Sequence, residues 1–263
     1  MQATRKKLIQ TALQPVGTTL YVYGGGWNLQ NTGGAAETVT IGPAASWRRF
    51  FLSQNADYRY DGSYYPRDGW NRFHAEGLDC SGYLGWVIYN TLCTENGGSS
   101  YVTAATGMAR ELARKGLGTW KQSYSGAAEK FEPGDVISLK GHVWLSLGTC
   151  MDGSVLLVHA TPSESVTGGK GGGVQLSAIN PVQATASDCE AYRLAATYMK
   201  RHCPEWSRRY RVVLKPYAVY TAVCEGGPEG RFRWDTVHTL ADPENFRDLT
   251  PEQLLERLEK EEQ

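Results

Sequence analysis

A cysteine at the predicted start of a buried helix is the residue of this chain best suited to covalent chemistry. Cys80 follows Asp79, a favoured N-cap residue, and apolar side chains then recur at helical spacing. A thiol in a first helical turn lies at the positive end of the helix dipole. With an imidazolium nearby, its pKa falls from about 8.5 towards roughly 4–7. The segment therefore predicts a nucleophilic thiolate, with a buried structural cysteine as the alternative.

Two histidines on neighbouring predicted strands are candidates for the base that such a thiol needs. His142 opens one strand, and His159 lies near the end of the next. The Asp152-Gly153 pair between them is typical of a β-hairpin. Because side chains alternate between the faces of a strand, the spacing favours both histidines on one face. Their register stays open, since a tight turn sets them two side-chain steps apart and a wider loop sets them side by side.

Five short segments follow one another in an order that carries further information. They are the glycine- and tyrosine-containing stretch Gly17–Gly25, the cysteine segment Gly77–Gly82, the Pro-Gly-Asp segment Phe131–Val136, the histidine strand His142–Gly148, and Val158–Ala160 around the second histidine. In type and order they resemble the NlpC-type cell-wall cysteine peptidases, a papain-like family. The resemblance covers about residues 5–225, with one extra residue after the first glycine.

The resemblance implies an α+β, papain-like fold, in which an antiparallel sheet packs against helices and the nucleophile lies at a helix N-terminus. It implies cleavage between D-glutamate and a diamino acid in peptidoglycan stem peptides, so a peptidoglycan peptide or muropeptide is the expected partner. It also implies that Tyr21 assists the reaction and that Asp79 and Ser81 bind the free amine of the peptide. Structural roles for these three residues, as a core aromatic, a helix cap and a solvated hydroxyl, remain alternatives.

The expected chemistry is acyl transfer through a thioester. His142 holds Cys80 as a thiolate and then protonates the leaving amine, while His159 bonds the far ring nitrogen and fixes the tautomer. The Cys80 N–H, unpaired at a helix start, is the expected oxyanion donor. Two other interpretations stay open. One is an amidase or acyl transferase that uses the same residues on another amide, and the other is a non-catalytic binding module.

Composition excludes some partners and cofactors. The net charge is zero, which argues against nucleic acid as the main partner, and no apolar run approaches a membrane span. The six cysteines form no Cys-x-x-Cys pair, so we expect no metal and no other cofactor. The basic N-terminus lacks the apolar stretch of a signal peptide. A cytoplasmic location is therefore expected, unless another route takes the protein to the cell wall.

The expected organisation is a peptidase domain over residues 1–225, with insertions at about 28–76 and 162–207, and a C-terminal extension over 226–263 that ends in a short helix. Helices are predicted from the N-terminus to Leu13, at about 79–93 and 104–115, from a capping box at Ser187–Glu190 to about His202, and after Thr250. Strands are predicted at about 135–139, 142–148, 154–160, 173–177, 210–214 and 217–224.

The first insertion is rich in aromatic residues and allows two interpretations. It enters the chain between Tyr21 and Cys80, so both of its ends must lie near the candidate site, and it could form a lid over that site. Alternatively, its rings pack on each other as a satellite core. The lid interpretation predicts that replacing Trp47 or Trp70 changes substrate use without loss of stability, and the core interpretation predicts the reverse.

Overall fold

One sheet forms the centre of the molecule. Its strands are β1 (Gly118–Lys121), β2 (Val136–Leu139), β3 (His142–Thr149), β4 (Val155–Thr161), β5 (Gly173–Asn180), β6 (Leu214–Pro216) and β7 (Gly230–Trp234). The structure is a computed structural model, and it describes residues 3–27, 42–60, 72–92, 101, 103–122, 130–180 and 188–261. The seven strands run in the order β1-β7-β2-β3-β4-β5-β6, and all neighbours are antiparallel except β5 and β6. An α+β fold with a mostly antiparallel sheet is therefore confirmed.

Eight α-helices accompany the sheet in the described part of the chain. They are α1 (Arg5–Leu13), α2 (Ala45–Ser53), α3 (Cys80–Leu92), α4 (Met108–Arg114), α5 (Glu190–His202), α6 (Pro204–Ser207), α7 (Tyr217–Tyr220) and α8 (Pro251–Glu261). The helices predicted near 79–93 and 104–115 correspond to α3 and to α4 with the 3₁₀ turn that precedes it. None of the described helices has the length and apolarity needed to span a bilayer.

The two faces of the sheet carry cores of unequal size. Helix α3 belongs to the larger core because it is apolar on nearly every side, and eleven of its thirteen residues are buried. It packs against β3 and β4, where Val143 and Val158 point into the same core. The opposite face of the sheet carries a smaller cluster that includes Trp144, Leu157 and Tyr220. The candidate site lies where the start of α3 meets the start of β3.

Residues beyond the predicted domain boundary belong to this sheet. Strand β7 lies between β1 and β2, and its Phe232 is fully buried. The predicted cap of the last helix is confirmed, since the Gln253 N–H donates to Thr250 Oγ1 (3.3 Å) and the Thr250 N–H to Gln253 Oε1 (3.0 Å). The described part of the 226–263 segment therefore contributes the strand β7 to the sheet and the helix α8 to the core.

The strand predicted over 217–224 is wrong, because the chain forms the short helix α7 after Pro216. Proline cannot donate a ladder hydrogen bond, and β6 ends at Pro216 on the sheet edge. Tertiary contacts then favour the helical turn. The Trp144 Nε1–H donates to the Tyr220 carbonyl (3.0 Å), and the Tyr220 ring packs into the smaller core. A four-residue helix rich in aromatic and β-branched residues has no helical signature in the sequence.

The capping box predicted for α5 is also wrong. The helix begins at Glu190, and its cap comes from the β3–β4 turn instead. The Glu190 N–H donates to the Asp152 carboxylate (2.7 Å), and the Ala191 N–H donates to Ser154 Oγ (2.9 Å). Ser187 lies outside the described residues. Local sequence could not reveal a cap whose donor and acceptor come from distant parts of the chain.

The described part of the aromatic insertion packs as scaffold. Trp47 on α2 is 1 % exposed and lies edge-on to Trp86 of α3, with ring centroids 5.6 Å apart. Phe51 stacks on Trp206, with centroids 6.0 Å apart. These rings join the main core, so the expectation of an exposed Trp47 on a lid is wrong. Trp70 lies outside the described residues.

Candidate active site

The start of α3 is built by pairing the cysteine segment with the stretch that follows α1. The Leu78 N–H donates to the Leu20 carbonyl (3.2 Å), and the Asp79 N–H donates to the Gly25 carbonyl (2.9 Å). A Cβ on Gly82 would lie 2.3 Å from that same Gly25 oxygen. Glycine at this position therefore lets the first helical turn dock closely, which fixes the direction in which α3 leaves the segment.

Asp79 caps α3 as the sequence predicts. Its Oδ1 accepts the Gly82 N–H (2.7 Å) and the Ser81 hydroxyl (3.0 Å). Burial raises the pKa of the Asp79 carboxyl, while the hydrogen bonds from Gly82 and Ser81 oppose that shift. The side chains of Asp79 and Ser81, both partly exposed, thus form one hydrogen-bonded unit beside Cys80, the first residue of the helix.

Tyr21 is held on the other side of this segment. Its N–H donates to the Gly172 carbonyl (2.8 Å), and its own carbonyl accepts the Tyr58 hydroxyl (2.7 Å). The ring is 7 % exposed and meets the Tyr60 ring edge-on, with centroids 5.2 Å apart. Burial, followed by the charges of Cys80 and Asp79, raises the pKa of the Tyr21 phenol, which therefore stays a neutral donor.

A β-bulge in β3 sets the face on which the second histidine lies. Ser146 pairs with Leu157, but the next pair toward the turn is Gly148 with Leu156. Leu147 is therefore an extra residue on β3 with no counterpart on β4. A shift of one residue exchanges the two faces for every side chain beyond it.

This shift brings His142 and His159 to one face. The hairpin closes with the Cys150 N–H donating to the Ser154 carbonyl (2.7 Å), around a three-residue loop. An unbroken register from that loop would put the two histidines on opposite faces, and the bulge reverses this. The predicted shared face is confirmed. The register falls between the two predicted alternatives, since extending it by one residue sets His159 opposite Trp144, one side-chain step from His142.

The two imidazoles form a hydrogen-bonded relay that ends on β5. His142 Nε2 lies 2.8 Å from His159 Nδ1, and His159 Nε2 lies 2.9 Å from Ser177 Oγ. Two assignments of protons satisfy both bonds, and the one that leaves His142 Nδ1 free to accept a proton has the hydrogen of each ring on Nε2. Burial lowers the pKa of His142 to about 4, and burial followed by the charge of His142 lowers the pKa of His159 well below its usual value. Both rings are therefore neutral near pH 7.

Tyr220 packs on both histidines, and sequence reasoning missed it. Its ring centroid lies 5.5 Å from that of His142 and 5.9 Å from that of His159. Burial raises the pKa of its phenol to about 12. This contact could not be predicted from the sequence, because it depends on the short helix α7, whose residues were predicted to form a strand. Ser177 lies in the strand predicted over 173–177. Its hydrogen bond to His159 could not be predicted, because it depends on how β4 and β5 pair.

The Cys80 thiol lies against the backbone on either side of His142. The Cys80 Sγ is 4.0 Å from the Gly141 carbonyl oxygen, and the Val143 N–H donates a hydrogen bond to the same sulfur. Cys80 is 5 % exposed. Of the hydrogen bonds formed by the described residues, none joins this thiol to the His142 ring. The predicted nucleophile and base are therefore close in space, but no hydrogen bond joins their side chains in this structure.

The predicted lowering of the thiol pKa is not found. Burial, then the Asp79 carboxylate, raises the pKa of Cys80 to about 12, although backbone N–H groups of Val143 and of the helix start favour the thiolate. The expectation depended on a cationic imidazole, and the His142 ring is neutral. The resting pair in this structure is a neutral thiol beside a neutral imidazole.

One group of side chains among the described residues has donor atoms close enough to share a metal ion. Donor atoms of Cys150, Asp152 and Glu190 all lie within 4.8 Å of one another. The carboxylates, however, already accept backbone N–H groups that join the β3–β4 turn to the start of α5. A structural cap explains this cluster.

The remaining cysteines and histidines with described contacts take no part in the site. Cys150, Cys189, Cys203 and Cys224 are free thiols, as is Cys80, and Cys93 lies outside the described residues. His202 lies 2.9 Å from Glu259, and His238 lies 2.8 Å from Asp235.

Comparison with known proteins gives no family assignment. No protein-family model, no curated protein and no solved structure matches this chain. The geometry of the site and the motifs in the sequence are therefore the features that bear on function.

Proposed function

We propose that this protein is a cysteine peptidase of the NlpC type, with Cys80 as the nucleophile, His142 as the base and His159 as the group that orients it. The observation that carries the proposal is the relay from His142 through His159 to Ser177, next to a cysteine at a helix start. A nucleophile, a base and an orienting polar group are the three parts of this machinery. Packing in the core would not by itself require the two imidazoles to be aligned in a hydrogen-bonded relay.

The relay determines which nitrogen of His142 reacts. Its Nε2 is bonded to His159, so Nδ1 is the ring atom left to accept the thiol proton, and this step uses the tautomer with the hydrogen on Nε2. As Sγ attacks the amide carbonyl, His142 takes that proton and becomes an imidazolium, which His159 stabilises through the same hydrogen bond. The imidazolium then protonates the leaving amine, and a thioester remains on Cys80.

Water completes the reaction. His142, again neutral, removes a proton from water as the oxygen attacks the thioester, and the thiolate leaves and recovers the proton from the ring. The products are a carboxylic acid and the free thiol. The Cys80 N–H is one of the first amides of α3, which have no acceptor within the helix, so it suits the developing oxyanion.

The substrate class follows from the sequence resemblance. The proposed substrate is a peptidoglycan stem peptide or muropeptide, and the proposed bond joins D-glutamate to a diamino acid. Asp79 and Ser81 support this assignment as a hydrogen-bonded pair beside the nucleophile, because an ammonium group would offset the desolvation of the Asp79 carboxylate. In this assignment the neutral Tyr21 hydroxyl assists at the carbonyl.

The experiment is digestion of purified muropeptides, with the products identified by mass spectrometry. Wild-type protein is expected to release products cut at the glutamyl–diamino acid bond, and Cys80→Ala is expected to release none while keeping its melting temperature. Cys224→Ala, which removes an exposed thiol, is the matched control and should keep full activity.

Other outcomes would contradict parts of this proposal. Turnover by Cys80→Ala within about tenfold of wild type would remove Cys80 as the nucleophile. Cleavage at another amide would be consistent with the proposed mechanism but not with the proposed substrate. It would favour an amidase or acyl transferase that uses the same residues. Muropeptide binding without turnover would favour a non-catalytic module.

A further inference from the structure

A groove of about 720 Å³ runs along the edge of the sheet, and two of the residues that line it contact residues of the candidate active site. Tyr220 forms part of its wall, and this ring also packs on His142 and His159. Tyr60 forms another part, and its ring meets Tyr21. Tyr60 and Tyr220, which contact different residues of the candidate active site, therefore line the same groove. A substrate held at Cys80 would have this groove as a path for the rest of its chain.

The groove is positively charged, although the chain as a whole has no net charge. Lys170, Arg211 and Lys215 line it and are exposed, and within the described chain none of them is paired with a carboxylate. Glu164 is the acidic residue that the structure shows in its lining. Three unpaired cations facing one carboxylate leave an excess of positive charge at a site that adjoins the nucleophile.

A buried hydroxyl that has no partner in the described part of the chain also faces this groove. Ser163 lines it and is 3 % exposed, and its Oγ has no hydrogen-bond partner among the described residues. An unsatisfied buried hydroxyl costs free energy unless a ligand or water completes it. A hydroxyl donor beside ammonium and guanidinium groups is the combination that binds a carboxylate.

We propose that this cationic groove binds a carboxylate-bearing part of the peptide substrate, adjacent to the amide that Cys80 attacks. Lys170, Arg211 and Lys215 supply the charge, and Ser163 supplies a fixed donor. This inference rests on the proposed peptidase function and adds a requirement for charge on the substrate. It makes the groove a specificity-determining site, because a neutral peptide of the same shape leaves these cations without a partner.

The test uses two peptidyl chloromethyl ketones with a free N-terminal amine, alanyl-glutamyl-alanyl and alanyl-glutaminyl-alanyl, which differ in one charge. The sulfur of Cys80 bonds to the methylene carbon, the carbon–chlorine bond breaks, chloride leaves and the thiol proton passes to His142 or solvent. The labelling rate of Cys80, followed by mass spectrometry, is expected to be about fivefold higher for the glutamyl reagent, as one or two exposed ion pairs allow. High salt should remove the difference.

The variant for this test is K170M/R211M/K215M, which changes exposed side chains only. It should lose the preference for the glutamyl reagent while its reaction with iodoacetamide, a small neutral reagent, stays at the wild-type rate. Lys115→Met, an exposed lysine beyond α4, is the matched control and should keep the preference. Loss of iodoacetamide reactivity in the triple variant would point to damage at the site and contradict a role confined to charge.

The two proposals fail in different ways. Equal labelling rates for the two reagents in wild-type protein would contradict the proposal that the groove binds a carboxylate. Cys80 would still be the proposed nucleophile in that case. Failure of every reagent to label Cys80 overturns the proposed function. In that case, calorimetric titration with the two parent peptides still measures the charge preference, and equal affinity would overturn the groove as well.

Discussion

His142 Nε2 and His159 Nδ1 lie 2.8 Å apart because Leu147 is an extra residue in β3. The bulge turns a hairpin that would separate the two rings into one that joins them on a single face. His159 is itself held by Ser177 of β5, so the orientation of His142 depends on three strands.

The thiol of Cys80 should alkylate slowly at neutral pH. A pKa raised to about 12 means that the thiolate fraction grows about tenfold with each pH unit through the alkaline range. The iodoacetamide rate at Cys80 in a Cys224→Ala background is therefore expected to keep rising above pH 9. Reactivity that persists below about pH 6 would instead show that the thiolate–imidazolium pair forms in solution.

The two histidines should differ in their tolerance of substitution. His159→Gln keeps an amide oxygen that can accept from the His142 ring, so a loss of no more than about tenfold in kcat is expected. His142→Gln removes the base, and a loss of roughly 10³–10⁴-fold or more is expected.

Ser177→Ala is the companion variant for this comparison. It removes the far end of the relay and leaves both rings in position, so a few-fold loss of kcat with KM unchanged is expected. Equal losses of kcat for the His142 and His159 variants would disprove this division of roles.

Acid should destabilise the folded protein through the two buried imidazoles. Both folded-state pKa values lie below the unfolded value of about 6.5, so the unfolded state binds more protons in that range. This contribution to stability is complete above about pH 6.5 and is lost as the pH falls towards about 4 for His142. Melting temperatures from pH 7.5 to 4 should therefore fall less steeply for the H142Q/H159Q variant than for wild type. Parallel curves would mean that the two imidazoles have the same pKa values in the folded and unfolded states.

Trp47→Ala should destabilise the protein by about 3–5 kcal/mol, because it empties a buried site against Trp86. KM is expected to stay unchanged in whatever folded protein remains. Leu52→Ala on the same helix is the control, since Leu52 is 55 % exposed and its loss should cost less than about 0.5 kcal/mol. A stable Trp47→Ala protein with a raised KM would restore the lid interpretation.

The helix and the strands that carry the candidate site could be predicted from local sequence patterns. The N-cap and apolar period fixed a helix that begins at Cys80, and the alternation around His142 and His159 fixed two strands. These signals are local, since a cap, a helical face and a strand face are each written within about a dozen residues.

The way in which these elements meet could not be predicted from local patterns, because it depends on the packing of distant segments. The bulge at Leu147 has no local signature, and neither has the contact of Tyr220 with both rings, because each depends on partners distant in the chain. The ionisation of Cys80 was decided in the same way. Its position at a helix start favours the thiolate, but burial and the Asp79 carboxylate outweigh that effect once the site is folded. The type of a residue and its spacing are properties of the sequence, whereas register, burial and charge environment arise only when distant segments pack.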